Sequence, residues 1–238
     1  MGGDRWADVP RVDAGARGRG ERGAMTDNAA RGNASKFPPE WFAREDESPD
    51  PDFYVEPRLV VHIDDETIEA VRAYLANVLP TDGRVLDLMS AWRSHLPHDF
   101  AGYVVGVGMN DAELAANPQL DEHLVHDLNA NPRLPLADNH FDAAFVVVSI
   151  QYMTRPVEIF TDVCRVLKPG AAFHVIFSER MFPTKAVAIW RALTGPQKRA
   201  ELIAAYFGAS EGWTQPTFVD RSPGGGDPAY VVYAAKVG

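Results

Sequence analysis

The sequence predicts an α/β fold in which a mostly parallel sheet carries an antiparallel addition at one edge. Short apolar runs alternate with helical patterns over residues 63–238, as is typical of βαβ units. The last two apolar runs flank the turn Pro223 to Pro228, which predicts a closing hairpin. The first run, Arg84 to Met89, brings one carboxylate, Asp87, to the end of a buried strand. Because open parallel sheets bind ligands outside the carboxyl ends of their strands, Asp87 is the first candidate site residue.

The composition of the 238 residues excludes several classes of protein. A formal charge of −10 argues against binding nucleic acid by general phosphate neutralisation. Cys164 is the single cysteine and the acids show no ordered metal spacing, so neither a disulfide framework nor a metal site is predicted. The longest apolar run, Ala143 to Val148, is too short to cross a bilayer. We expect one large cytoplasmic domain with no metal, no nucleic acid and no membrane partner, and the oligomeric state stays open.

The N-terminal residues 1–35 are predicted to be a disordered tail. They are rich in Gly, Ala, Arg, Asp and Asn and have almost no large apolar side chains, so ordering them would not offset the loss of backbone entropy. Arg17 to Gly20 could be an RNA-binding piece, but five arginines against four acids leave the first 24 residues nearly neutral. Met25 is a second possible start of the chain.

Residues 36–62 form a separate segment, rich in proline and aromatic residues, between the tail and the domain. The prolines disfavour a long helix, so several large aromatic side chains must pack on another part of the protein. Two arrangements remain open: a structural strap over the sheet edge, or a lid over a binding site.

The first half of the domain contains four predicted strands. Asp64 to Glu66 open a helix, because acids are favourable at the positive end of the helix dipole, and Pro80 ends it. Strand one follows, and residues 90–95 are predicted to be a loop or short helix. The next elements are strand 103–108, a short helix 111–116, a weak strand 123–126 and a buried strand 143–148.

The second half of the domain alternates in the same way. A helix is predicted from Pro156, where proline suits the first turn, to Leu167, and Lys168 to Gly170 are its predicted stop. The remaining predictions are a strand 172–177, helices 185–193 and 197–207, and strands 217–220 and 229–235.

Five stretches taken together resemble one known family. They are Val85–Asp87, Val104–Val107, Asp127, Phe141–Asp142 and Arg165–Gly170, and they resemble the class I S-adenosylmethionine-dependent methyltransferases, with the type 11 small-molecule group the most similar. The match covers about residues 60–238. The resemblance implies a Rossmann-like seven-stranded sheet of order 3-2-1-4-5-7-6 with an antiparallel last strand. It also implies S-adenosyl-L-methionine as the cofactor, lying over the C-terminal ends of strands one and two, and a small-molecule methyl acceptor.

The chain departs from the family pattern at both of those strand ends. The family's first motif has glycines after the acid, whereas residues 87–93 read Asp-Leu-Met-Ser-Ala-Trp-Arg. Glycines there permit positive φ angles and close approach of the backbone to a ligand. The resemblance leaves Asp87, Ser90 or Arg93 to hold the amine and carboxylate of the cofactor, and Met89 is a further predicted cofactor contact.

The family also has a ribose-binding acid at the end of strand two, where this chain has Gly108. Asn110 or Asp111 is the predicted substitute. By the same resemblance, Asp127 accepts from the adenine amino group with the backbone N–H of Leu128 beside it.

The remaining site predictions concern the acceptor. Ser149 to Tyr152 follow strand four, where the family places residues facing the methyl group; Ser149 is predicted to contact the cofactor, Gln151 to contact the substrate, and Tyr152 to orient the substrate as a catalytic residue. His95 is a candidate base, because a neutral imidazole accepts protons near pH 7. Phe182 follows strand five and is predicted to line the substrate side.

Two further patterns carry less weight. Lys185 is an anion contact or, as is more usual, a solvated lysine at a helix start. Gly106 to Asp111 is similar to a dinucleotide fingerprint but has Asp at its sixth position and lies on the second strand, which argues against NAD.

The predicted function is methyl transfer from S-adenosylmethionine to an oxygen, nitrogen or carbon atom of a small molecule. The alternative, motivated by the missing glycines and the missing ribose acid, is a catalytically silent relative that keeps the fold as a binding or regulatory module.

Overall fold

The computed structural model describes residues 37–238, and the predicted disordered tail lies outside the described residues. Its centre is a seven-stranded sheet of order β3-β2-β1-β4-β5-β7-β6. The strands are β1 Arg84–Leu88, β2 Tyr103–Gly108, β3 Glu122–Val125, β4 Phe141–Val147, β5 Leu167–Phe177, β6 Thr217–Asp220 and β7 Tyr230–Ala235. Strand β7 is antiparallel to both of its neighbours, β5 and β6, and the other neighbouring strands pair in parallel. The predicted fold class and strand order are therefore confirmed.

Six α-helices accompany the sheet in this part of the chain. They are α1 Asp50–Phe53, α2 Asp65–Val78, α3 Asp111–Ala115, α4 Pro156–Val166, α5 Ala188–Ala192 and α6 Pro196–Ser210, and short 3₁₀ helices span Pro39–Phe42 and Ile150–Tyr152. The start of α2 is as predicted, because the Asp64 side chain caps it by accepting from the Thr67 backbone N–H at 2.8 Å.

The two faces of the sheet are covered by different elements. Apolar residues of α4 and α6, such as Phe160 and Phe207, pack with Leu86 and Leu88 of β1. The opposite face packs against α2, where Val71 and Leu75 contact residues such as Val85. Since successive strand residues point to opposite faces, Asp87 shares the α2 side with Val85.

Three predicted boundaries differ from the structure. β5 begins at Leu167 instead of residue 172, because Leu167 already pairs with Phe141 of β4, and the predicted helix stop lies inside this strand. The helix predicted over 185–193 is restricted to α5, since Lys185 is buried in ion pairs before the helix begins. Helix α6 extends to Ser210, beyond its predicted end at residue 207. Residues 89–102, which connect β1 to β2, contain no helix, so of the two alternatives predicted for residues 90–95 the loop is the one present.

The described part of the segment 36–62 contacts the rest of the protein in two regions. Its first half packs on α6, with the rings of Phe37 and Tyr206 5.3 Å apart, edge to face. Its second half, residues 50–62, lies over the C-terminal ends of the strands and is called the lid here. None of the helices in residues 37–238 is long and apolar enough to span a bilayer.

Candidate active site

A cavity of about 510 Å³ opens at the C-terminal ends of β1, β2 and β4, under the lid. Most of the predicted site residues line it: Asp87, Met89, Ser90, Arg93, His95, Asn110, Asp127, Leu128, Ser149, Tyr152 and Phe182. The topology explains this convergence, because the carboxyl ends of parallel strands meet at one edge of a sheet.

Asp87 is the buried acid of the cavity. Its Oδ2 accepts from the Ser90 hydroxyl at 2.6 Å, and only 3% of the residue is exposed. Burial raises the pKa of the Asp87 carboxyl to about 7, and hydrogen bonds from Ser90 and Ser94 offset only part of this effect. A cationic ligand group beside Asp87 would therefore lower the pKa of this carboxyl and favour its ionised form.

The loop after β1 makes a glycine-like turn without glycine. Met89 has φ of 55°, in the left-handed region, and the Ser90 backbone N–H then donates to the Val107 carbonyl of β2 at 2.8 Å. The Ser90 carbonyl lies so close to Gly108 that a Cβ at this position would collide with it. Glycine is thus required at the end of β2, which is why no acid occupies that position.

Asn117 braces the same loop from the far side. Its amide donates to the Ala91 carbonyl at 2.9 Å and to the Ser94 hydroxyl at 2.8 Å. Sequence reasoning missed this residue, because its contacts are more than twenty positions away along the chain.

Asn110 lines the cavity but its side chain is already engaged. Its Oδ1 caps α3 by accepting from the Glu113 N–H at 3.0 Å, and its amide donates to the lid carbonyls of Tyr54 and Val55 at 2.9 and 3.1 Å. The amide donors of Asn110 are therefore used by the lid, and a ribose contact would be left to its Oδ1. Asp111, the other candidate, lies outside the cavity lining and pairs with His123 instead.

Asp127 and Leu128 lie at the end of β3 as predicted from the resemblance. The Asp127 Oδ1 accepts from the backbone N–H groups of Asn129 and Ala130 at 2.9 and 3.1 Å, which fixes the carboxylate in a turn. Both bonds use Oδ1, so Oδ2 remains available to a ligand. Leu128 is buried beside it.

The end of β4 shapes the opposite wall. Val148 has φ of 43°, strained for a β-branched residue, and the Ser149 hydroxyl donates to the Val147 carbonyl at 2.9 Å. The Tyr152 hydroxyl accepts from the Phe182 N–H at 2.7 Å, and the two rings stack with centroids 5.9 Å apart. Burial raises the pKa of Tyr152, so its hydroxyl keeps the proton and can donate it to a ligand atom.

Two of the predicted roles need correction. Gln151 lies outside the cavity lining: only 1% exposed, it donates to the Val148 and Arg180 carbonyls at 2.8 and 3.1 Å, so it fixes the backbone instead of touching a substrate. His95 lines the cavity, but burial lowers its pKa to about 4, with the charge of Arg72 adding to the effect. An imidazole with a pKa this low is a weak base, so His95 takes up few protons at neutral pH.

Lys185 is neither a solvated lysine nor an anion contact at the cavity. Its ammonium is fully buried, 3.3 Å from Asp50 Oδ1 and 3.5 Å from Asp46 Oδ2, and donates to the Ser48 carbonyl at 2.7 Å. Asn129 joins this network by donating to Asp50 Oδ2 at 2.8 Å. The network ties the start of the lid to the loops after β3 and β5.

The sequence comparisons agree with this geometry. Residues 89–175 match the family model described as "Methyltransferase domain". Two curated relatives, the ubiquinone/menaquinone biosynthesis C-methyltransferases UbiE of Laribacter hongkongensis and Chromobacterium violaceum, are each 27% identical, over 113 and 101 residues. These matches cover 46% and 42% of this chain, and 46% and 41% of the relatives, so the chain spans less than half of their length. Residues 89–175 are therefore similar in sequence to a methyltransferase domain, and the sheet has the strand order that this resemblance implied.

Solved structures share the fold of this chain. Phosphoethanolamine N-methyltransferase 2 of Haemonchus contortus, in complex with S-adenosyl-L-methionine, superposes with a TM-score of 0.51 at 14% identity, covering 71% of this chain and 52% of that one. The [4+2]-cyclase SpnF superposes with a TM-score of 0.55 at 16% identity, covering 79% and 92%. The predicted resemblance is confirmed at the level of the fold and the central sequence.

Proposed function

We propose that the chain is an S-adenosylmethionine-dependent methyltransferase that acts on a small molecule. The observation that carries this proposal is the convergence of Asp87, Ser90, Asp127 and Leu128, residues from the ends of β1 and β3, on one cavity under the lid. The family match over residues 89–175 supports the same function.

The residues present fit this cofactor at its two ends. Asp87, a buried carboxyl without a cationic partner among the described residues, suits the ammonium of the methionine part. Asp127, held in its turn with Oδ2 available, and the Leu128 N–H suit the adenine ring. We assign the middle of the cofactor to Met89 and Ser90, since the side chain of Asn110 holds the lid.

The bound cofactor would supply an electrophilic methyl group on a sulfonium. The protein then contributes by orienting the acceptor for in-line displacement and by excluding water. The Tyr152 hydroxyl, fixed by the Phe182 N–H, is the proposed orienting group, and Phe182 covers the acceptor. No histidine base is assigned here, because the pKa of His95 is too low.

The acceptor class is proposed from the cavity and from the relatives. The formal charge of −10 argues against nucleic acid as the methyl acceptor. We also propose a cytoplasmic location, because a single cysteine suits a reducing compartment. The aromatic residues on the acceptor side and the C-methyltransferase relatives favour a ring carbon or a ring substituent as the methylated atom.

Calorimetric titration with S-adenosylmethionine and S-adenosylhomocysteine tests the proposal. We expect both to bind the wild-type chain, and Asp87→Ala to weaken both while the variant still gives a cooperative thermal melt. An absence of binding up to about millimolar ligand, which corresponds to only about 4 kcal/mol of affinity, contradicts the enzyme proposal.

A second candidate is a domain with this fold that does not transfer methyl groups. The engaged side chain of Asn110 and the absence of an acid at Gly108 favour it, and a structure named as a [4+2]-cyclase has the same fold. Tight binding of S-adenosylhomocysteine without formation of that product from S-adenosylmethionine, across a panel of aromatic acceptors, would support this candidate.

A further inference from the structure

Arg58 of the lid lies in an aromatic cluster on the acceptor side of the cavity. The cluster consists of Phe53, Tyr54 and Phe182, and the Arg58 guanidinium carbon is 4.6, 5.7 and 5.7 Å from their ring centroids. Phe182 also contacts the rings of Phe53, at 5.7 Å, and His62, at 5.2 Å. A guanidinium held over aromatic faces is favourable and keeps its charge.

The hydrogen bonds of this guanidinium are incomplete. Its Nη2 donates to the Phe53 carbonyl at 2.8 Å, but Nη1 is buried and has no partner among the described residues. The carboxylate of Glu113 accepts a hydrogen bond from the Arg58 backbone N–H at 2.6 Å, but it makes none with the guanidinium. An unpaired buried donor costs free energy, and because Arg58 lines the cavity, a turn of its guanidinium toward the cavity would give Nη1 a ligand acceptor.

Two other cations near the cavity differ from Arg58. Lys185, 5.2 Å from the Phe53 ring, has Asp46 and Asp50 as partners. Arg180, also in the cavity lining, donates to both oxygens of Asp227, at 2.9 and 3.1 Å. Among these three, Arg58 alone makes no ion pair with a described residue. Arg93, a further cavity-lining arginine without such a pair, is exposed and lies over the ring of its neighbour Trp92 at 4.2 Å.

We infer that Arg58 and the aromatic cluster form a subsite for an acceptor that is an aromatic oxyanion, such as a ring carboxylate or phosphate. The planar guanidinium matches an oxyanion through paired N–H donors, and the rings of Phe53 and Phe182 offer faces for a planar substrate. That the ligand is the methyl acceptor rests on the proposed function, whereas the anion subsite does not.

The same guanidinium could also serve the carboxylate of the cofactor. The Arg58 backbone lies on the β2 side, where its N–H donates to Glu113 of α3. Its guanidinium, however, reaches Phe182, which follows β5 and stacks on Tyr152 after β4, and this position on the side away from β2 and β3 argues for the acceptor. The experiment therefore has one arm for each source.

The first arm measures binding of benzoate, phenyl phosphate and neutral benzamide by calorimetry, with and without saturating S-adenosylhomocysteine. We expect the wild-type chain to prefer the two anions over benzamide by about tenfold, the strength of one charge-assisted contact. Arg58→Met keeps the apolar stem and should abolish the preference, and Arg58→Lys should restore part of it. Arg133→Met removes a largely exposed arginine outside the cavity lining and should leave the preference intact.

The second arm compares S-adenosylhomocysteine with 5′-methylthioadenosine, which lacks the amino-acid carboxylate. We expect Arg58→Met to change the affinity for either nucleoside by less than about twofold. A loss of about tenfold for S-adenosylhomocysteine alone would assign Arg58 to the cofactor and overturn the inference.

Equal wild-type affinity for benzoate and benzamide, including no binding of either, would also overturn it. If Arg58→Met does not fold, Arg58→Lys tests the inference in its place. A lysine variant with the full wild-type preference for anions would contradict a role of the paired N–H donors of the guanidinium. Failure of the proposed function is recognised separately, by an absence of nucleoside binding to the wild-type chain.

Discussion

Replacing Asp87 with Asn should remove a pH-dependent loss of stability. Burial raises the pKa of this carboxyl from 3.8 to about 7, so the folded chain holds a proton that the unfolded chain releases. Between about pH 4 and pH 7 the folded state therefore binds more protons, and the free energy of unfolding falls as the pH rises through this window. Because each tenfold change in an acidity constant is worth about 1.4 kcal/mol, the loss amounts to at most about 4 kcal/mol at pH 8.

Urea unfolding of both proteins at pH 4.5 and pH 8 measures this effect. Asn keeps an acceptor for the Ser90 hydroxyl, so the substitution changes the charge more than the packing. We expect the wild-type chain to lose on the order of 2–4 kcal/mol more than Asp87→Asn between the two pH values. Contributions of all other groups are shared and cancel in the difference. Parallel losses in the two proteins would refute the argument that an ionised Asp87 is costly.

Three further substitutions test the walls of the site. Asp127→Asn keeps the turn but removes the charged acceptor, so it should weaken S-adenosylhomocysteine binding by on the order of 1–3 kcal/mol in calorimetry, and unchanged affinity would remove Asp127 from the site. Gly108→Ala should disrupt the loop after β1 and lower both the melting temperature and ligand affinity, whereas Gly208→Ala, in helix α6 with open space around it, should be neutral or stabilising by up to about 1 kcal/mol. Lys185→Met should cost about 1–3 kcal/mol in urea unfolding, because it removes one of the two cations paired with the buried Asp50 and leaves Arg44 as the other, while the exposed Lys198→Met should cost less than about 0.5 kcal/mol.

The parts of the fold that follow a local pattern were predictable from the sequence. Hydrophobic alternation and helix caps placed most strands and helices within one or two residues, since these signals lie within the elements themselves. The strand order came from the resemblance, because no local pattern encodes which strands are neighbours.

The missed features of the site all depend on contacts between distant residues. Lys185 reaches Ser48 across 137 positions, and Asn110 reaches the lid across 55 and 56. Neither residue type nor spacing signals such a partner, so Lys185 was expected in solvent and Asn110 on a ribose. Arg58 carried no signal at all, since its importance follows from a nitrogen that the fold buries without a partner.

The two departures from the family pattern have one physical cause. In the resembling family, glycines after strand one let the chain turn, and an acid ends strand two. In this chain, Met89 takes the left-handed turn itself, at a cost of roughly 1–2 kcal/mol, and the following Ser90 carbonyl passes directly over the end of β2. Only glycine fits beneath it, so the acid at that position is lost together with the glycines of the loop. A variant that restored an acid at residue 108 alone would therefore clash, and recovery of the family pattern requires the loop and the strand end to change together.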